Sequence, residues 1–137
     1  INRVFDIANS EIALRENCGL LAYSPLAGGR LSGKYADNQK PKNSRYTLWP
    51  GRFSRHNTIR GELAINKYIS ISKMFGIELN LLAHAFVLAR PYLTSSIFGV
   101  TNLSQLKNNI KSLDIKITKD ILEEIDKIHL EDPNPCT

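Results

Sequence analysis

Only two stretches of this chain read as β-strands, too few for the sheet that their setting demands. Leu20 to Ser24 is a short apolar run bounded by Gly19 and Pro25. Thr94 to Phe98 is β-branched and aromatic, with Gly99 behind it. Both read as short buried strands. Helical patterns surround them. Residues 5–16 read as a modest helix stopped by Asn17-Cys18-Gly19. Residues 62–75 place Ile65, Tyr68, Ile69 and Phe75 near one face before Gly76. Residues 80–89 are apolar nearly all round, as expected of a helix buried on most sides. Asn102 and Gln105 have capping-box spacing and open a helix in which Leu103, Leu106, Ile110 and Leu113 recur at threes and fours. Thr118 caps a last helix with Ile121, Leu122, Ile125 and Ile128 on one face. Strands alternating with helices run parallel, and a parallel sheet is covered on both faces and normally has more than two strands. The expectation is a portion of a larger α/β domain, and Ile1 in place of a methionine carries the same expectation of an incomplete chain.

Composition narrows the setting. Across 137 residues, 42% hydrophobic content suits a packed protein. No apolar run reaches the ~18–20 residues of a membrane span, and no secretory pattern opens the chain. Cys18 and Cys136 make no disulfide framework, so a reducing cytoplasm is expected. Usage rich in Lys, Ile and Asn hints at an AT-rich bacterial genome. The net charge of +5 is unevenly placed. Residues 30–60 carry eight basic side chains against Asp37 alone, while residues 114–137 hold seven acids and three lysines. A basic loop facing an acidic tail suggests a local anion site more than a nucleic-acid surface, the plainer alternative being a solvated loop. The basic stretch coincides with a long ordered loop over 36–60, where Pro41, Pro50 and Gly51 leave little periodicity. Loops of that length tend to be functional.

Both strands end in a glycine-bearing loop, Tyr23-Ser24-Pro25-Leu26-Ala27-Gly28-Gly29 and Phe98-Gly99-Val100-Thr101-Asn102. In a parallel barrel such loops form the active face, and a phosphate commonly sits after the last two strands. Gly28-Gly29 reads either as a phosphate cradle, with Lys34 and Arg45 supplying charge, or as a simple turn. Tyr23 is placed to stack on a flat heterocycle or to pack in the core. Gln105 and Asn109, one turn apart, read either as an adenine-edge pair or as a cap residue and a solvated amide. His84, within the apolar helix, reads as a satisfied core histidine, and His129 ends a helix where a cation is favourable. His56, His84 and His129 show no metal-ligand spacing, and no nucleophile–base pair stands out. Cys136 reads as part of a frayed end.

Four segments carry a family resemblance in order: LLAYSPLAGGRLSGKY at 20–35, Asn43-Ser44-Arg45 with Arg52-Phe53, LLAHAFVLARPYLTSSIFGVTNLSQLKNNI at 81–110, and ITKDILEEIDKIH near the end. The opening Asn2-Arg3 also resembles the segment after a sixth barrel strand. Together they resemble the aldo-keto reductases from the seventh strand onward, most closely the bacterial Tas-type branch and the potassium-channel β subunits. The resemblance implies the C-terminal portion of a (β/α)8 TIM barrel across 1–137. A cofactor-binding loop then covers 25–61, and an adenosine-binding loop and helix cover 99–113. It implies hydride transfer between NADPH and a small carbonyl substrate. Tyr23 then stacks on nicotinamide, while Ser24, Pro25, Leu26, Ala27, Gly28, Gly29, Ser32, Lys34 and Arg45 approach the phosphates. Gly99, Thr101, Gln105, Asn108 and Asn109 hold the adenosine end. Thr101 stands where the family has serine, and Asn108 stands where it has a glutamate that accepts from the adenine amino group.

The resemblance also implies that the catalytic tetrad (aspartate, tyrosine, lysine and histidine) lies on earlier strands, so no catalytic residue is assigned in this chain. The expectation is a chain inactive alone that joins the missing N-terminal part of the barrel. The alternatives are a remnant of a split or decayed gene and a protein-interaction module. Bare strand edges recruit other chains, so weak cooperativity and poor solubility are expected of the isolated piece.

Overall fold

The computed structural model describes residues 1–36, 39–52 and 54–136. The opening segment forms two short helices, α1 (Val4–Ile7) and α2 (Asn9–Arg15), in place of the single helix expected over 5–16. Ala8, at φ −125°, breaks the turn between them. Ile7, Ile12 and Leu14 are exposed and only Ala13 is buried, so little packing holds a continuous helix here. Strand β1 (Leu20–Tyr23) follows, and then a 3₁₀ turn over Ala27–Ser32. The stretch expected as a loop contains a short helix, α3 (Arg45–Leu48), and a 3₁₀ turn over Ser54–His56. Asp37 and Phe53, used in the charge count and the resemblance, lie outside the described residues. Helices α4 (Ile59–Phe75) and α5 (Leu79–Leu88) then lead to β2 (Leu93–Ile97). Helix α6 (Leu103–Ile110) runs into a 3₁₀ turn over Lys111–Asp114, and α7 (Lys119–Glu131) comes last.

β1 and β2 pair in parallel, with Leu20 opposite Leu93 and Tyr23 opposite Ile97, and the register shifts between Leu20 and Leu21. The core lies where α4, α5 and α7 meet: Ile65, Tyr68 and Ile71 face Ile121, Ile125 and Ile128, with Leu79 and Leu82 alongside. Each large apolar side chain buried there contributes about 1.5–3 kcal/mol. Thr118 caps α7 as its position suggests, its hydroxyl accepting from Ile121 N at 3.4 Å. Arg3 ties α1 to α7 through Asp6 at 2.8 Å and Asp126 at 2.6 Å, and the Tyr92 hydroxyl donates to Asp6. Burial alone would raise the Asp6 pKa, yet the hydrogen bonds from Tyr92 and Arg3 hold it below the usual carboxylate value. Among the described residues no single helix is long and apolar enough to cross a membrane.

Two expectations fail for one reason. The strands are not buried, since Leu21, Tyr23 and Ile97 are exposed and β2 has only half-buried and exposed positions. The stripe on α6 is not packed either: Leu103, Ile110 and Leu113 face outward, and the helix and its following turn bury Asn109 and Ser112 instead. A two-stranded sheet among the described residues has neither the strands nor the outer helices that would cover these surfaces. Cys136 is buried, not frayed. The Thr58 hydroxyl explains this, because it accepts from Gly61 N at 2.9 Å to cap α4 and donates to Pro135 O at 2.8 Å to hold the tail.

Gly61 is the point of contact. A β-carbon added there would stand 2.6 Å from Cys136 Sγ and 2.9 Å from Thr58 Oγ1, both held in place by their own packing or bonds. Helix propensity favours alanine over glycine by about 1 kcal/mol, but overpacking costs about 1–3 kcal/mol. Gly61→Ala is therefore expected to lower the urea midpoint, and adding Cys136→Ala is expected to recover most of the loss. A raised midpoint in the single variant would mean that the tail does not pack on α4.

Candidate functional site

The parallel register sets the site. Tyr23 lies opposite Ile97, and Ser24 N donates to Ile97 O at 3.2 Å, so the loops after both strands leave from the same end. The Tyr23 ring is 68% exposed at that end, so it does not pack in a core. Beyond it, Ser24 (φ 55°), Ala27 (φ 49°), Gly28 (φ 68°) and Gly29 (φ 101°) all take left-handed backbone. Glycine adopts this freely, whereas Ser24 and Ala27 each store about 1–3 kcal/mol of strain. Two turns close the loop, Ala27 N to Ser24 O at 2.9 Å and Gly29 N to Leu26 O at 2.8 Å. Leu26 (φ −93°, ψ 12°) precedes left-handed Ala27, and the Ala27 and Gly29 N–H groups are taken up by these turns.

The basic loop folds back over the double glycine. A β-carbon on Gly28 would meet Tyr46 Oη at 3.1 Å, and one on Gly29 would meet Lys34 Nζ at 3.9 Å. Tyr35 and Tyr46 pack edge-on at 5.0 Å, so the neighbouring residues Lys34 and Arg45 are carried to the same part of the loop. The Arg30 guanidinium lies 5.8 Å from the Tyr46 ring, and Ser32 Oγ donates to Gly29 O at 2.6 Å. Arg55 and His56 line a cavity of about 400 Å³ together with Tyr23, Ser24, Pro25 and Ala27. The sequence signalled Arg55 only through the charge run and gave His56 no role, and the 3₁₀ turn over Ser54–His56 brings both in. Burial, with Arg55 adding its charge, lowers the His56 pKa.

At the second loop, Gly99 and Thr101 are exposed. Thr101 donates through both its N–H and its hydroxyl to Gln105 Oε1, at 3.0 and 3.1 Å, while Gln105 N donates to Asn102 Oδ1 at 2.9 Å. The Gln105 carbonyl is thus engaged at the helix start. Asn109 is buried and accepts from Asn80 Nδ2 at 3.1 Å, so it neither meets solvent nor shares a surface with Gln105. Asn108 Nδ2 donates to Glu78 Oε2 at 2.9 Å. Neither Glu78 nor Asn80 carries a sequence motif of its own.

His84 is a core residue but not a satisfied one. It is 2% exposed and edge-on to Phe98 at 4.7 Å, and its Nε2 has no hydrogen-bond partner among the described residues. Burial also lowers the His129 pKa, against the favour a helix end gives a cation. Among the described residues no three His, Cys, Asp or Glu side chains group as metal ligands. Burial lowers the His84 pKa, so below about 6.5 the unfolded chain binds a proton that the folded chain resists. Stability is accordingly full above that pH and lost as pH falls beneath it. The urea midpoint is expected to drop between about pH 7 and pH 5, with a shallower slope in His84→Leu. An unchanged slope would assign the loss to other groups.

Loops gathered at the C-terminal ends of parallel strands define one part of the active face of an α/β barrel protein. The chain belongs to the aldo/keto reductase family, whose model matches residues 3–130. It is 37% identical over 129 residues to Protein tas of Escherichia coli, covering 94% of this chain and 37% of that protein. It is 32% identical over 117 residues to a probable voltage-gated potassium channel subunit beta of Oryza sativa subsp. japonica, covering 80% of this chain and 35% of that one. A glycerol dehydrogenase from Gluconobacter oxydans superposes with a TM-score of 0.72 at 21% identity, covering 99% of this chain and 42% of its own. The fold is thus the C-terminal portion of a TIM barrel, and the chain spans well under half the length of these relatives.

Proposed function

We propose that this chain is the cofactor-binding C-terminal part of an NADPH-dependent oxidoreductase that reduces aldehydes or ketones to alcohols. The observation that supports this reading is the shared exit of the two strand-end loops, which sends exposed Tyr23, the turn from Ser24 to Gly29, and Gly99 with Thr101 out of the same end of the sheet. The bound cofactor supplies hydride. The exposed Tyr23 ring offers a stacking surface for its nicotinamide. The cradle at 24–29, with Ser32, Lys34 and Arg45, fits its phosphates, and the Thr101–Gln105–Asn108 face fits its adenosine. Both cysteines are free thiols, which suits a reducing cytoplasm.

In this reading the proton donor and the substrate pocket belong to the earlier βα units of the barrel. General acid catalysis is typically worth about 10²–10⁴-fold, so the chain alone binds cofactor without turnover. The outward stripe of Leu103, Ile110 and Leu113 and the uncovered strand face support a completing polypeptide in preference to a free-standing remnant.

Cofactor titration of the chain tests the reading. Trp49 lies just beyond the helix that begins at Arg45 and is half exposed, so it reports on that loop. Saturable quenching by NADPH, weaker with NADH, is the expected result. Lys34→Ala is expected to weaken NADPH binding about two- to fivefold, the range for an exposed charge contact. Equal responses to both cofactors, or none, would contradict the assignment.

A further inference from the structure

We infer that Glu78 is a positioning residue that fixes the Asn108 amide and thereby makes the adenosine end of the site selective for a 6-amino purine. The inference rests on the cofactor reading above. Glu78 occupies the N-cap position of α5, yet its side chain makes no capping bond to that helix. Its carboxylate reaches across to α6 and accepts from Asn108 Nδ2 at 2.9 Å. An ionised carboxylate can only accept, so the nitrogen of the Asn108 amide must face Glu78. The carbonyl oxygen then becomes the end of the amide left for a ligand. Asn108 lies three residues after Gln105 and therefore on the same side of the helix as the Thr101–Gln105 cluster at the loop.

An outward oxygen accepts from an exocyclic amino group and opposes a carbonyl. Adenine carries the amino group at C6 and hypoxanthine carries an oxygen there. Without Glu78 the amide is free to rotate and present either end, and the preference is lost. The neighbouring Asn80–Asn109 bond, which joins the same two helices, keeps the backbone of this region in place when Glu78 is changed.

Calorimetric titration of the full chain with NADPH and with its hypoxanthine analogue, identical in phosphates and nicotinamide, tests this. Wild type is expected to bind NADPH about tenfold more tightly than the analogue, the scale of one hydrogen bond exchanged for an unsatisfied contact. In Glu78→Met, which keeps the length of the side chain without its acceptor oxygens, and in Glu78→Ala, the ratio is expected to fall toward one, with loss of NADPH affinity of similar size. Glu78→Ala combined with Asn108→Asp is expected to restore the ratio, because aspartate offers an acceptor at either oxygen. A rescue of this kind separates positioning from a general structural role. A ratio near one in wild type, or a ratio unchanged in the Glu78 variants, would overturn the inference while leaving the cofactor reading intact. Failure of wild type to bind either dinucleotide would overturn both.

Discussion

Everything at the candidate site hangs on the parallel pairing of β1 with β2. A parallel pair needs a long crossover, here supplied by α4 and α5, whose apolar faces meet α7 to form the core. The same pairing sends two sequence-distant loops out of one end. The strain at Ser24 and Ala27 is tolerable only because the strand behind them is anchored, through Ser24 N to Ile97 O among other bonds. Helix packing thus supplies the stability, and the strand ends are where it supports strained backbone.

Among the described residues that pairing stops at two strands. Leu21, Tyr23 and Ile97 along the sheet, Leu103 and Ile110 on α6, and Leu113 in the turn after it stay in contact with water. Apolar stripes of this kind on helices flanking a sheet edge are the faces by which successive barrel units pack on one another. The chain therefore combines a well-filled helical core with bare flanks on the sheet side. Its family membership and its span of well under half the relatives' length give the bare flanks a consistent meaning, as seams toward the remaining βα units.

What the sequence made legible was local. Thr118, Asn102 and the Ile121–Ile125–Ile128 spacing each mark structure within a turn or two, and the helix caps fall where those residues stand. Burial was misjudged wherever it depends on a distant neighbour. The α6 stripe looks like a core face by periodicity, but no helix among the described residues covers it. Cys136 is buried because Thr58 and Gly61 receive it, a meeting of positions more than seventy residues apart. At the site, Tyr23 and the Gly28-Gly29 turn were legible through their position after a strand. The engagement of Gln105 by Thr101, the burial of Asn109, and the reach of Glu78 to Asn108 required coordinates.

The most direct test is hydrogen exchange of the β1 and β2 amides, measured in this chain alone and after refolding with the part of the Escherichia coli Tas chain that it does not match. The expected result is rapid exchange and a broad thermal transition alone, then protection and a sharp transition in the mixture. Ile110→Asp with Leu113→Asp is expected to abolish that gain while leaving the isolated chain's unfolding unchanged, because both side chains are already exposed there. Strands fully protected in a cooperative monomer, with no change on adding the partner, would contradict the view that this chain is one side of a barrel.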